Sequence, residues 1–453
     1  MSGEAPRRFA LRGRILHAVG DPAERGEAAI EDIPDGLLRI AEGRIAALGD
    51  YGDLRHALEP GEPLIDLTGR ILLPGLIDAH VHYPQTGVVA AHGRDLLEWL
   101  ERHTFPAESA FADPEHAREA ARFFLDELLR NGTTAAVVYC TVHPVSVDAL
   151  CEEASARGMR IVAGKVMMDR GAPAALRDTA ETGYRESAAL IARWHGRGRI
   201  AYAVTPRFAV TSSEAQLEAA GALLREHPGV YLQTHLAEQR NEIATVLRLF
   251  PWAASYTEVY DRFGLLGPRS LLGHCIHLAE AELARLSASR SVAVLCPTSN
   301  TFLGSGLVDL DALRQPPRPV RLGLATDIGG GTSYSMFQTM AELYKVARLR
   351  GGSIDPRELF HLATLGNARA LGLEREIGSL RPGCAADLVV VDPARRPALA
   401  RRLAAGAEEG VSDLLLALAV LGDEQIVEAT FVAGRPLYAC PGSGVSVGQP
   451  PGR

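Results

Sequence analysis

Short apolar runs alternate with amphipathic stretches through the middle of this chain, while both ends carry apolar runs punctuated by glycine. At the N-terminal end the runs are FALRGRILHAV (9–19), GLLRIAEGRIAALGD (36–50) and LIDLTGRILLPG (64–75). Their length and turn signals predict strands. Similar material returns in CAADLVVVDP (384–393) and EQIVEATFVAGRPLY (424–438). Between them, eight runs read as strands: 71–82, 133–141, 160–168, 200–209, 230–238, 270–277, 292–300 and 321–329. Helical stretches such as 117–132 and 214–229 separate most of them, each ending at a glycine, as helices often do. Eight βα units predict a TIM (β/α)8 barrel. The expected division is a catalytic barrel over 74–375 and a small β-sandwich domain formed by both termini, 1–73 and 376–453. An Arg- and Ala-rich segment, 395–410, is expected to be a surface helix.

The polar residues fall where a barrel would use them. His80 and His82 end the first candidate strand, and Arg207 lies near the end of the fourth. His235 ends the fifth, His274 lies in the sixth, and Asp327 ends the eighth. Catalytic groups of such barrels sit at the C-terminal ends of strands. In His80-Val81-His82 the two imidazoles are two residues apart and share one face. Taken alone, an HxH is a weak signal, and a structural role is the commoner explanation. Here it follows an apolar strand with no other reason to end in two polar rings. His235 and Asp327 complete a set of three imidazoles and one carboxylate, which suits zinc or iron. Such an ion lowers the pKa of water toward neutrality. Asp327 could instead cap a helix before Gly329-Gly330-Gly331, but that does not explain its place after an apolar run. Candidate strand four has no lysine, and Lys165 lies on strand three. A lysine-bridged pair of metals is therefore not expected, and one ion per chain is. The H-x-E…P-C-x-x-C pattern of zinc cytidine deaminases is absent.

Composition narrows the partners. The 453 residues suit a barrel with an accessory domain, and nearly half are apolar. The formal net charge of −8 argues against a nucleic-acid partner. The six cysteines form no CxxC pair, and several sit in apolar runs, which suits buried thiols in a reducing compartment. The N-terminus lacks a signal-type apolar stretch, and no segment is apolar enough to span a bilayer. A cytoplasmic protein with no membrane partner is expected.

Several segments carry a more specific resemblance. PGLIDAHVHYPQT (74–86) followed by LLEWLERHTFPAE (96–108) resembles the guanine deaminases of the amidohydrolase superfamily. So do GKVMMDR (164–170), TPRFAVTSS (205–213), THLAEQRNEI (234–243), GHCIHLAEAEL (273–283), CPTSNTFLGSG (296–306) and ATDIGGGTSYSMFQTMAELYKV (325–346). IGSLRPGCAADLVVVDP (377–393) looks like the closing segment of the wider superfamily. The resemblance implies hydrolysis of the free base guanine to xanthine and ammonia, one zinc ion per chain, and a homodimer. It implies His80, His82, His235 and Asp327 as zinc ligands, and Gln85, Arg207 and Phe208 as substrate contacts beside His235, Glu238 and Asp327. Glu238 would be a proton shuttle, and His274 a hydrogen-bond partner of the reacting centre, with Asp327 sharing the catalytic work.

Blander roles exist for most of these. Glu238 could be an ordinary first-turn acid, Arg207 a rim salt bridge, Phe208 a core ring and His274 a satisfied core histidine. Trp99 and Phe105 are expected to pack a loop rather than touch substrate. His92, His103 and His143 receive no role. An aminohydrolase or dechlorinase for another base or a triazine shares the scaffold. A barrel that merely binds would have lost ligands, whereas here the set is complete.

Overall fold

A computed structural model of the chain describes residues 8–405 and 410–447. Four strands come first: β1 (Arg8–Ala18), β2 (Ile30–Ala41), β3 (Arg44–Asp50) and β4 (Leu64–Pro74). Nine follow in the middle: β5 (Leu76–His82), β6 (Thr133–Tyr139), β7 (Arg160–Gly164), β8 (Val166–Met167), β9 (Ile200–Pro206), β10 (Tyr231–Leu236), β11 (Ser270–His274), β12 (Val292–Leu295) and β13 (Arg321–Leu324). Three close the chain: β14 (Leu388–Val391), β15 (Val427–Val432) and β16 (Arg435–Ala439). The middle strands run parallel in the order β5-β6-β7-β9-β10-β11-β12-β13, with the short β8 pairing β9. This is the expected TIM barrel, and each of the eight candidate strands contributes to it, the first by its second half only.

The helices between them pack by one apolar face. In the helix Pro114–Arg130, Asp113 caps the first turn by accepting from the Glu115 amide, and Pro114 occupies N1. Ala117, Ala121, Phe124, Leu125, Leu128 and Leu129 are its buried residues. Their spacing of three and four makes the stripe that faces the sheet.

The barrel closes where β5 meets β13. The Asp327 amide donates to the His80 carbonyl at 3.0 Å, and the His82 amide donates to the Ile328 carbonyl at 2.6 Å. Two buried side chains reinforce this seam. Asn367 Nδ2 donates to the carbonyls of Ile77 and Leu324, each at 2.7 Å, while its Oδ1 accepts from the Leu324 amide at 2.8 Å. The Asp78 carboxylate accepts from the Thr326 amide at 3.1 Å and from the Thr326 hydroxyl.

The terminal strands form one seven-stranded sheet in the order β16-β15-β14-β4-β1-β2-β3. It curls so that its two halves face each other. Phe9 of β1 stacks on Phe431 of β15 at 6.1 Å, within a core that includes Leu11, Ile40, Leu72, Leu388 and Val390. The Ile45 amide donates to the Cys384 carbonyl, bringing β3 back to the segment before β14. That curl is the sandwich expected from the sequence.

The first candidate strand, 71–82, divides at Gly75. Residues up to Pro74 belong to the terminal sheet, and residues from Leu76 belong to the barrel. A Cβ at Gly75 would lie 2.1 Å from Thr134 Oγ1, so only glycine lets the chain pass between the two sheets there. The helix Pro397–Ala405 buries only Leu399, as a surface helix should, and the rest of that segment, 406–409, lies outside the described residues. All six cysteines are buried and free. Among the described residues, no helix is long and apolar enough to cross a membrane.

Replacing Asn367 by alanine leaves two carbonyls and one amide of the seam without their partner. Each buried orphan costs about 1–3 kcal/mol, so Asn367→Ala should lower the urea unfolding midpoint clearly. An unchanged midpoint would remove Asn367 from the closure of the barrel.

Candidate active site

The C-terminal ends of the barrel strands bring the predicted polar groups to one point. His80 and His82 face inward from β5, His235 from β10, and Asp327 follows β13. His82 Nε2 lies 3.3 Å from His80 Nε2 and 3.2 Å from His235 Nε2. Asp327 Oδ1 lies 3.3 Å from His80 Nε2 and 3.5 Å from His82 Nε2. All four side chains are buried. Several residues here adopt positive φ although none is glycine: Ala237, His274, Cys275 and Asp327. Such backbone is costly and clusters at functional sites.

The electrostatics suit a cation. Burial pushes His80 below its ordinary value, and His82 and His235 well below it, so these rings are neutral. His235 Nδ1 lies 2.7 Å from the Arg207 carbonyl, which can only accept. The proton therefore sits on Nδ1, and Nε2 offers its lone pair to the cluster. Burial alone would raise Asp327, but its hydrogen bond with His80, together with His274 and Ser299, outweighs it and holds the carboxyl below its usual range. The geometry also groups His274 and Cys296 with His80 and Asp327. Burial pushes the Cys296 thiol well above its ordinary value. His80, His82 and His235 form one such group and His80, His274, Cys296 and Asp327 another. The expected set of three imidazoles and one carboxylate lies across the two and could hold one divalent ion. The ring of Tyr139 stacks on His82 with centroids 4.4 Å apart. Gly273 makes room behind His80, because a Cβ there would lie 2.6 Å from His80 Cε1.

Beside this cluster, His274 Nε2 lies 3.4 Å from Glu238 Oε2 and 3.8 Å from Asp327 Oδ2. It is buried and makes no hydrogen bond, whereas its Nδ1 meets Asn300 Oδ1 at 2.8 Å. Burial lowers His274, but the Glu238 and Asp327 carboxylates more than offset it and raise it overall. Burial also pushes the Glu238 carboxyl up. Ser305 Oγ donates to Glu238 Oε1 at 2.8 Å, and His277 Nε2 donates to the Ser305 carbonyl at 2.8 Å.

A cavity opens over these groups. It is lined by His82, Gln85, Leu96, Trp99, Leu100, Arg207, Phe208, His235, Glu238, His274, Leu303, Asp327 and Gly330. Every candidate site residue lines it except His80, which sits behind Asp327. Gln85 Nε2 and Arg207 Nη1 both donate to Glu108, at 2.9 Å and 2.8 Å. Trp99 lines the cavity as well as packing its segment. Phe105 is beneath Arg207, whose guanidinium lies 5.8 Å from its ring centre.

Sequence reasoning missed Glu108, Ser305 and Asn300. Glu108 closes the TFPAE segment used for the resemblance, and that was the available signal. The triple glycine is a close-approach loop, since a Cβ at Gly331 would lie 1.8 Å from the Thr326 carbonyl oxygen. Lys165 is turned to a buried pair with Asp178 at 2.5 Å. His143 precedes the helix Pro144–Arg157, and His103 bonds the His92 carbonyl, all outside the cavity lining.

The amidohydrolase family model matches residues 71–437. The chain belongs to the amidohydrolase family. Within it the chain is similar to guanine deaminase of Escherichia coli strain K12, 45% identical over 440 residues that cover 97% of this chain and 99% of that protein. The solved structure of E. coli guanine deaminase matches with a TM-score of 0.91 at 43% identity, covering 96% of this chain and 99% of that one. Guanine deaminase from C. acetobutylicum, solved with guanine bound in its active site, matches with a TM-score of 0.85 at 25% identity, covering 95% and 100% of the two chains. Amidohydrolases are metal-dependent, and the His/Asp cluster supplies a ligand group of that kind.

Because Gly273 sets the position of the His80 ring, Gly273→Ala should weaken retention of a divalent ion by about 10- to 100-fold, as loss of support behind a ligand does. Metal content after dialysis against a graded chelator measures this. Undiminished retention would show that the ring has room to shift.

Proposed function

We propose that the chain is a guanine deaminase that hydrolyses the free base to xanthine and ammonia with one zinc ion. The observation that carries this reading is the placement of a buried His/Asp cluster and two hydrogen-bonding side chains, Gln85 and Arg207, in the lining of one cavity. The similarity to guanine deaminases over nearly the whole chain supports it and disfavours a triazine-type or other-base hydrolase.

The reaction replaces the amino nitrogen on C2 of guanine with oxygen. His80, His82, His235 and Asp327 would hold the zinc, which would supply Lewis acidity and lower the pKa of water toward neutrality. Asp327 takes a proton from the attacking water through the oxygen that faces His274. Glu238 delivers its proton to the ring nitrogen beside C2 and is reloaded by the hydroxyl newly bound at C2. It passes that proton to the departing amine as the C2–N bond breaks, and the proton held by Asp327 then returns to Glu238. Its Oε1 is fixed by Ser305, which leaves Oε2 on the side of His274 and the cavity. His274 hydrogen-bonds the reacting centre through the Nε2 that otherwise has no partner. Phe208 and Trp99 supply apolar walls for the base.

Arg207 can only donate, and Gln85 both donates and accepts. Together they hold the C6 oxygen and adjacent edge of guanine. Adenine carries an amino group at C6 and a hydrogen at C2. It would leave a buried donor unpaired, at about 1–3 kcal/mol or more for a charged one, and would present its amine at the wrong carbon. We also propose the division 1–73, 74–375 and 376–453, a homodimer by family resemblance, and a cytoplasmic site of action without nucleic-acid or membrane partners. The buried free thiols support the reducing compartment.

Purified protein should carry one zinc per chain, convert guanine to xanthine and release no hypoxanthine from adenine. Comparable kcat/KM for the two bases would overturn the assignment of substrate. His80→Ala and His235→Ala should lose both metal and activity. Two ions per chain, with activity following the second, would refute a single-metal site.

Glu238→Gln should keep its metal and bind xanthine while turnover falls by about two to four orders of magnitude, as for a lost general acid–base group. Loss of zinc in that variant would make Glu238 a ligand instead. Arg207→Ala should keep the metal and lose guanine turnover; full activity would move the substrate anchor elsewhere.

A further inference from the structure

The cavity is roofed by the segment that follows β5. Leu96, Trp99 and Leu100 from this segment line it, and its last helix, Phe105–Ser109, carries Glu108 inward. Glu108 is fully buried, and both its oxygens are used. Oε1 accepts from Gln85 Nε2 at 2.9 Å and from Arg207 Nη1 at 2.8 Å, and Oε2 accepts from the same Nη1 at 2.8 Å. Gln85 and Arg207 come from the ends of β5 and β9, which are not neighbours in the barrel. One carboxylate therefore sets two arms that the barrel itself does not hold together. It also fixes the Gln85 amide. With Nε2 given to Glu108, Oε1 faces the Gly329 amide at 3.3 Å.

We propose that Glu108 is the positioning residue that sets the purine specificity of this site, by presenting Gln85 and Arg207 in register to the edge of the base that carries the C6 oxygen. This rests on the guanine deaminase reading given above. A carboxylate is required because both of its oxygens only accept. An amide in its place would turn an NH2 group toward Gln85 Nε2 or Arg207 Nη1, which are donors themselves. The roof takes part because it is tied down on the far side of the cavity. The Leu96 amide donates to Gln239 Oε1 at 3.3 Å, and Gln239 Nε2 donates to the Leu303 carbonyl at 3.2 Å and to Ser305 Oγ at 3.1 Å. Seating the roof and aligning the two arms are thus a single event, in which Glu108 acts on the substrate only through Gln85 and Arg207.

The test compares guanine with 2-aminopurine, which keeps the C2 amino group and lacks the C6 oxygen. In zinc-loaded Glu108→Gln, the KM for guanine should rise by about 10- to 100-fold, as expected for misaligned charge-assisted hydrogen bonds. The fall in kcat should be smaller than the rise in KM. Zinc content should match wild type, and the inhibition constant of 2-aminopurine should change by less than about threefold, since it makes no use of the arms at C6. In an Arg207→Ala background, Glu108→Gln should add less than about threefold further, because the two act as one unit.

An unchanged KM, an equal loss for guanine and 2-aminopurine, loss of zinc, or full additivity with Arg207→Ala would each overturn the proposal. If Glu108→Gln does not fold, Glu108→Asp carries the same readouts. It keeps the charge but is too short to hold both arms, so selective loss on guanine supports the proposal and an unchanged KM refutes it. Failure of the wild-type protein to deaminate guanine would instead overturn the activity reading. Guanine turnover by wild type with no selective effect in the variants refutes Glu108 alone.

Discussion

The site depends on one backbone contact, the hydrogen bond from the Asp327 amide to the His80 carbonyl. It joins the last strand of the barrel to the first, and it brings the carboxylate of one beside the imidazoles of the other. Asn367 and the pair of Asp78 with Thr326 hold the same seam from within. A His/Asp cluster drawn from three separate strands has no local stability of its own. Its geometry is inherited from closure of the cylinder, so the most distant strands in sequence are the ones whose spacing matters most to the cluster.

Much of this was legible along the chain. The eight apolar runs, and the way polar residues terminate them, fix both the barrel and the identity of its inward groups, because strand alternation and strand ends are properties of sequence. The candidate strand 71–82 hid a change of sheet within it, although Pro74-Gly75 marks the place and the barrel was expected to begin at 74. Glu108 was hidden for another reason. Its role arises when a covering segment folds across the mouth to meet Gln85 and Arg207, and no periodicity encodes that meeting. The ring of Trp99 packs its own loop and also forms a wall of the cavity. Its indole N–H is satisfied by the Ala91 carbonyl, which leaves the ring itself as the apolar surface.

The charges of the site are balanced in two separate groups. Asp327 and Glu238 with His274 form one, and Glu108 with Arg207 forms the other across the cavity. Buried ions cost several kcal/mol each unless paired and hydrogen-bonded. Arg207 meets that requirement through Glu108, and its backbone carbonyl also orients His235. One residue thereby touches both Glu108 and the His/Asp cluster, through its side chain on one side and its main chain on the other. A change that moves the Arg207 backbone would disturb the metal-ligand cluster as well as the purine arms.

The curled terminal sheet has a consequence for how the chain is made. Leu73 on β4 pairs with Val389 on β14, so the N-terminal strands receive their neighbour only after the whole barrel has left the ribosome. Until then β4 presents an open edge, with apolar residues such as Leu72 uncovered. Long-range pairing of this kind is slow and leaves unpaired edges prone to aggregation. Completion of the C-terminal strands therefore serves as the step that ends the vulnerable period of synthesis. A nascent chain stalled shortly before Leu388 would hold a complete set of barrel strands and still be a target for chaperones and proteases.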